Sequence, residues 1–156
     1  MPLIYRDGSL FDAPKGSLLV HACNTVGVWG SGIAAQFRDR FPVAHEKYVG
    51  QCKASGRRLL GDYARLVDGD FAVGCLFVSA GYGSKVDKPQ VILAHTRNAV
   101  RALVEDAAGR VWDDSLVICS NKFNSGLFAV PWEHTEKAIL DELAKHPEIS
   151  WIVYNG

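Results

Sequence analysis

Apolar positions along this chain fall into runs of two kinds. Continuous apolar runs read as buried strands: SLLVHAC (17–23), FAVGCLFVS (71–79) and SLVICS (115–120). A short strand, LIYR (3–6), ends at Asp7-Gly8, and ISWIVYN (149–155) closes the chain as a last strand. GDYARLV and FAVGCLFVS flank Asp68-Gly69-Asp70, which is hairpin chemistry. Segments with mixed polar and apolar spacing read as helices. SGIAAQFRDRF (31–41) stops before Pro42, because the residue before a proline avoids the helical region. VAHEKYVGQCKASG (43–56) is a second helix with Gly56 as its stop. A third helix runs from about Gln90 to Ala108 behind Pro89. Pro131 opens a fourth, to about Lys145, with Glu133 and Glu136 near the positive end of its dipole. Strands and helices interleave, which predicts an α/β fold: six strands in a mixed, largely parallel sheet with helices on both faces.

Length and composition narrow the function classes. At 156 residues, the chain is expected to form one domain spanning 1–156, large enough to bury a core. Lys plus Arg and Asp plus Glu number 17 each, so the net charge is zero and no nucleic-acid surface built on bulk charge is expected. A small anion held by backbone amides stays compatible with that balance. No apolar run reaches the length of a membrane span, and MPLIYRDGSL lacks the apolar stretch of a signal peptide. Cys23, Cys52, Cys75 and Cys119 lie far apart with neither a C-x-x-C pair nor metal-ligand spacing. They read as small core residues of a protein in a reducing compartment, cytoplasmic or nuclear, with neither metal nor cofactor; a monomer is expected.

Sheets of this class bind ligands at the carboxyl ends of their strands. Two glycine-containing loops there lead from a buried strand into a helix: CNTVGVWGSG (23–32) and NKFNSGLFAVP (121–131). A third, SAGYGSKVDKP (79–89), follows the long strand of the hairpin. Gly27, Gly30 and Gly32 allow the backbone to approach a ligand and present its amides to phosphate, next to a helix N-terminus. The order G-x-x-G-x-G is neither the dinucleotide fingerprint nor a P-loop.

Side chains beside these loops have two readings each. His21 suits proton transfer near neutral pH, or is a hydrogen-bonded core residue. Asn24 could grip a sugar hydroxyl or cap its own loop. Tyr154 could stack on a base at the cleft rim or pack in the core. Of Lys85, Arg97 and Arg101, only Lys85 lies near a candidate loop. Two motifs are decoys. Cys52 to Arg58 has the C-x5-R spacing of cysteine phosphatases, but it ends an amphipathic helix instead of following a strand. Asp68-Gly69-Asp70 is explained by the hairpin.

DGSL near the N-terminus, LLVHACNTVGVWGSGIAAQFRDRFP, NSGLFAVPWEHTEKAI and the terminal IVYN together resemble the macrodomain family, in the same order and over nearly the whole chain. The resemblance implies a three-layer α/β/α fold that binds ADP-ribose. The two loops are most similar to a fungal branch that removes the 1''-phosphate from ADP-ribose 1''-phosphate. By position, Gly8, Ser9 and Leu10 would meet the adenine side, with Tyr154 and Asn155 bordering it. Gly30, Ser31, Gly32 and Ile33 would wrap the diphosphate on one side, and Asn124, Ser125, Gly126, Leu127 and Phe128 on the other. Asn24 would touch the distal ribose. In the phosphatase reading, His21 would orient or deprotonate water or protonate the leaving oxygen, and Asn124 with Ser125 would stabilise phosphate charge. Other activities carried by the family are hydrolysis of mono-ADP-ribose or O-acetyl-ADP-ribose esters, and plain ADP-ribose recognition. The chain departs from the family pattern at Ser9, where many members have aspartate. It departs again at Ser79 and Phe128, where a hydrolase branch has lysine and aspartate, and at Ser31, which interrupts a three-glycine run.

Overall fold

The structure is a computed structural model that describes residues 3–110 and 116–156. Six strands, β1 (Leu3–Arg6), β2 (Leu18–Asn24), β3 (Tyr63–Asp68), β4 (Phe71–Ser79), β5 (Ile118–Ser120) and β6 (Trp151–Tyr154), form one sheet in the order β1-β6-β5-β2-β4-β3. Every neighbouring pair is parallel except β3 with β4, the predicted hairpin at the sheet edge. Four helices connect them: α1 (Gly32–Arg40), α2 (Pro42–Ser55), α3 (Pro89–Gly109) and α4 (Trp132–Leu143). The expected mixed, largely parallel α/β/α architecture is therefore present. The predicted strand start at Ser115 lies outside the described residues, and β5 itself begins at Ile118.

The sheet alternates its side chains between two cores. Leu18 and Val20 of β2 pack with Leu76 and Val78 of β4 beneath α3 and α4, where Val100, Leu103 and Ile139 are buried. Leu19, His21 and Cys23 face the other way, toward Phe37 of α1 and Tyr48 of α2. Period-two alternation in strands buried on both faces requires this division. Burial of each large aliphatic or aromatic side chain contributes about 1.5–3 kcal/mol.

Both decoy motifs have structural work. Asp68 reaches from the hairpin to the start of α2, where its carboxylate accepts from Val43 and Ala44 N–H, both at 3.0 Å. Those are helix N-terminal donors that nothing inside the helix can satisfy. Cys52 is buried in the last turn of α2, and burial raises its thiol to about 11, against a smaller lowering by the Tyr48 hydrogen bond. A thiol held protonated in this way is no nucleophile. Among the described residues, no helix is long and apolar enough to cross a membrane.

Candidate functional site

β2 and β5 lie side by side in parallel, so the loops that leave their carboxyl ends are neighbours. The loop after β2 is built around Asn24. Its Oδ1 accepts from the N–H groups of Val26 (3.0 Å), Gly27 (3.1 Å) and Val28 (3.4 Å), and its Nδ2 donates to Val28 O at 2.8 Å. This is an Asx-type turn in which Oδ1 is fully engaged and Nδ2 uses one of its two N–H donors. The side chain of Asn24 thus shapes the loop, and its second Nδ2 N–H is the donor left for the ribose contact expected of it. Gly27 has φ +97°, and a Cβ there would lie 3.3 Å from Cys52 Cβ, so only glycine fits the turn.

Beyond the turn, Trp29 is buried and anchors the loop, while Gly30, Ser31 and Gly32 are exposed. Ser31 stands at the N-cap of α1 with extended backbone, yet its side chain makes no capping bond. The first amides of α1 therefore face outward at the positive end of a helix, an arrangement suited to phosphate.

His21 does not reach this surface. It has no exposed area; its ring stacks on Phe37 (centroids 4.0 Å apart, 7° between planes) and meets Trp29 edge-on at 4.7 Å. The imidazole packs beneath the loop, because the side chain at the fourth position of β2 points into the α1–α2 core. Cys75, its register partner on β4, joins Cys23 there. The ligand atoms of His21, Cys23 and Cys75 lie within 4.8 Å of one another, a grouping that sequence spacing hides because the residues come from two strands. Burial raises both thiols, but hydrogen bonding from Cys75 and the charge of His21 lower Cys23, which is the first of the pair to ionise. All three residues are sealed beneath the aromatic rings, away from the cleft.

The loop after β5 follows the same plan. Asn124 has a left-handed backbone (φ 68°), is 5% exposed, and its Nδ2 donates to Thr96 Oγ1 on α3 (2.9 Å) and Thr135 Oγ1 on α4 (3.3 Å). Its carbonyl accepts from Val130 N–H at 2.8 Å, closing the loop at its base. Through Nδ2 the side chain braces two helices, while its buried Oδ1 has no partner. Ser125, Gly126 and Leu127 are left on the outside, and Leu127 is 76% exposed. Phe128 is half-buried against the core formed with α3 and α4.

At the β1–β6 end, Asn155 N–H donates to Arg6 O at 2.8 Å, and Gly156 touches Gly8 and Ser9. The two segments expected on the adenine side are thereby adjacent. Gly8 and Asn155 are exposed, but Leu10 and Tyr154 are 3% and 7% exposed, so Tyr154 packs in the core instead of forming a rim. Ser9 Oγ accepts from Phe11 N–H at 3.1 Å and caps a short 3-10 turn. Ile33 is half-buried at the start of α1.

The third loop borders the β2–β4 end. Ser79 Oγ donates to Gly81 O at 2.7 Å and accepts from Asp87 N–H at 3.1 Å; Asp87 in turn accepts from Ala80 N–H at 2.7 Å. Thr25 Oγ1 donates to Ala80 O at 3.0 Å, which ties this loop to the first. Between them, and roofed by the turn after α2, lies a cavity of about 520 Å³ that includes Arg57 and Lys85. Arg57 is the residue that the sequence did not single out; its neighbour Arg58 drew notice only through the decoy. Arg97 and Arg101 are paired with Asp141 and Glu142 on α4.

Comparisons with known proteins agree with this geometry. The family model described as Macro domain matches residues 20–139. A relative from Chaetomium globosum named ADP-ribose 1''-phosphate phosphatase is 38% identical over 150 residues, covering 86% of this chain and 80% of its own. One of the same name from Lodderomyces elongisporus is 36% identical, covering 92% of this chain and 93% of its own. Among solved structures, the macrodomain of Mycobacterium tuberculosis DarG superposes with a TM-score of 0.80 at 22% identity, covering 99% of this chain and 97% of that one.

Proposed function

The chain belongs to the macro domain family, and from that premise we propose that it binds ADP-ribose 1''-phosphate and removes the 1''-phosphate. One observation carries the reading: two neighbouring strand ends each present an exposed, glycine-containing loop whose backbone faces outward while an asparagine, Asn24 or Asn124, is turned inward to hold it. Gly30 to Gly32 with the uncapped start of α1 would take the diphosphate on one side. Ser125 to Leu127 would close over it on the other. The adjoining Gly8–Ser9 and Asn155 segments would receive the adenosine, and the Thr25–Ala80 junction would border the distal ribose.

The reaction requires little covalent chemistry from protein. Water attacks phosphorus, the bond from phosphorus to the 1''-oxygen breaks, and its electron pair stays on that oxygen, which takes up a proton. The products are ADP-ribose and inorganic phosphate. Positioning and compensation of charge on the phosphoryl oxygens account for much of such catalysis. His21, Asn24 and Asn124 act in this reading as positioning residues, fixing the two loops from below.

The lysine-dependent ester hydrolase of a related branch is less well supported. Ser79 stands where its lysine would be and spends its hydroxyl on Gly81 and Asp87. Phe128 stands where its aspartate would be and packs against the core. The test is phosphate release from ADP-ribose 1''-phosphate by the full chain, run beside a gel of mono-ADP-ribosylated protein. Phosphate release with an unchanged gel supports the phosphatase; the reverse result supports the hydrolase; tight ADP-ribose binding with neither supports a recognition module.

A further inference from the structure

The cavity beside the third loop differs chemically from the cradle. Its lining includes Arg57 and Lys85 and no acidic side chain. Among the described residues, neither cation forms an ion pair. The N–H groups of Gly81 and Tyr82, also in the lining, donate to no protein acceptor among the described residues. The nearest carboxylate of the loop, Asp87, is engaged by Ala80 N–H. A second cavity, of about 480 Å³, includes Asp62 beside Arg65 and lies against β3, so it has no such one-sided charge.

Position matters as much as charge. Thr25 and Val26 line the cavity and follow directly on the residue that ends β2; Ala80 and Gly81 follow directly on the end of β4. The cavity thus continues the carboxyl edge of the sheet past the glycine loop, on the side away from the adenine segments at β1 and β6. A molecule laid along that edge with its adenosine at β1–β6 and its diphosphate over β2 and β5 brings its far end here. Gly81 makes the approach possible: a Cβ at this position would lie 2.5 Å from the Lys85 carbonyl oxygen, so the loop folds back tightly enough to bring Lys85 over the opening only with glycine.

We propose that this cavity is the subsite for the phosphate monoester on the distal ribose, with Arg57 and Lys85 as the side chains that distinguish ADP-ribose 1''-phosphate from ADP-ribose. The inference rests on the reading of the cradle as an ADP-ribose site and adds to it the source of preference for the phosphorylated form. A phosphate monoester carries about −1.5 to −2 charge near neutral pH, and two cations with free amides supply charge-assisted contacts that ADP-ribose cannot use. Both cations are exposed, so the preference weakens as salt screens them.

The experiment measures both compounds against Arg57→Gln, Lys85→Gln and the double variant, by short competition with labelled ADP-ribose on ice. Substitution of exposed side chains leaves folding intact, which a melting curve checks. The wild type is expected to bind the 1''-phosphate compound at least about tenfold more tightly, with the ratio shrinking in 0.5 M salt. The double variant is expected to bring the ratio to within about twofold of one by weakening the 1''-phosphate compound alone, and Arg57→Lys to keep part of the preference. A double variant that retains the wild-type ratio, or that weakens both compounds equally, overturns the inference while leaving the cradle reading intact. A wild type that fails to bind ADP-ribose at all overturns the cradle reading first, and this subsite with it.

Discussion

The hydroxyl of Tyr48, on α2, lies 2.8 Å from the carbonyl oxygen of Asn24 and 2.9 Å from its Oδ1. One buried hydroxyl from a helix thus holds the residue that shapes the glycine loop. Tyr48→Phe keeps the ring stacked on Trp29, at 4.7 Å between centroids, and removes only this link. Loss of one neutral hydrogen bond, with buried acceptors left behind, is expected to cost about 1–3 kcal/mol in urea denaturation. ADP-ribose affinity is expected to fall several-fold by calorimetry. Unchanged affinity would separate the loop's shape from binding.

Ser31→Asp is expected to move stability and binding in opposite directions. A carboxylate at the N-cap of α1 can accept from the amides that serine leaves unused, worth about 0.5–1 kcal/mol. The same charge occupies the position assigned to a phosphate. The melting temperature should rise while ADP-ribose affinity falls at least about tenfold. A variant that gains stability and binds normally would show that the diphosphate lies elsewhere.

His21→Ala is expected to behave as a core truncation. The imidazole fills the space between Phe37 and Trp29 with no exposed surface. Its removal should cost about 2–4 kcal/mol, by analogy with other large-to-small core substitutions. A denaturation midpoint equal to that of the wild type would contradict the packing role.

Leu127→Ala tests the opposite case. With 76% of its surface exposed, this side chain contributes little to folding. Stability should stay within about 0.5 kcal/mol of the wild type. ADP-ribose binding should weaken, because the cover over the diphosphate loses its most exposed apolar group. Unaltered binding would remove the second loop from the site.

Alkaline pH should destabilise the fold. Burial holds the thiols of Cys52 and Cys119 up at about 11, above the ordinary value of 9.0. These groups ionise in the unfolded chain before they do in the folded one. Their contribution is therefore fully present below pH 9 and is lost as pH rises from there toward 11. Denaturation midpoints measured from pH 8 to 11 should fall, and Cys119→Ala should flatten the slope.

The backbone plan was legible because strands and helices announce themselves by period and by their breakers. Pro42, Pro89 and Pro131 each mark a helix start within a residue, as the missing amide and fixed φ of proline require. The two cradle loops were legible from glycine between a strand and a helix. Side-chain direction was not. His21, Asn24, Asn124 and Tyr154 sit where a ligand edge is expected, yet all four turn inward. A one-residue step along a buried strand switches the face, and an Asx turn takes up most of an amide that otherwise resembles a sugar contact. The cluster of His21, Cys23 and Cys75 and the cavity with Arg57 and Lys85 each assemble from separate segments, and no local pattern records such meetings.

Asn24 and Asn124 fix their loops with hydrogen bonds that are already made before anything binds. A cradle made in advance spends little free energy on ordering itself, and it grips the part of the molecule that hydrolysis leaves unchanged. By itself the cradle therefore holds the shared ADP-ribose part equally in substrate and product, and uniform binding of this kind does not accelerate the chemical step. ADP-ribose is accordingly expected to act as a product inhibitor, weaker than the substrate by the margin that the distal cavity supplies.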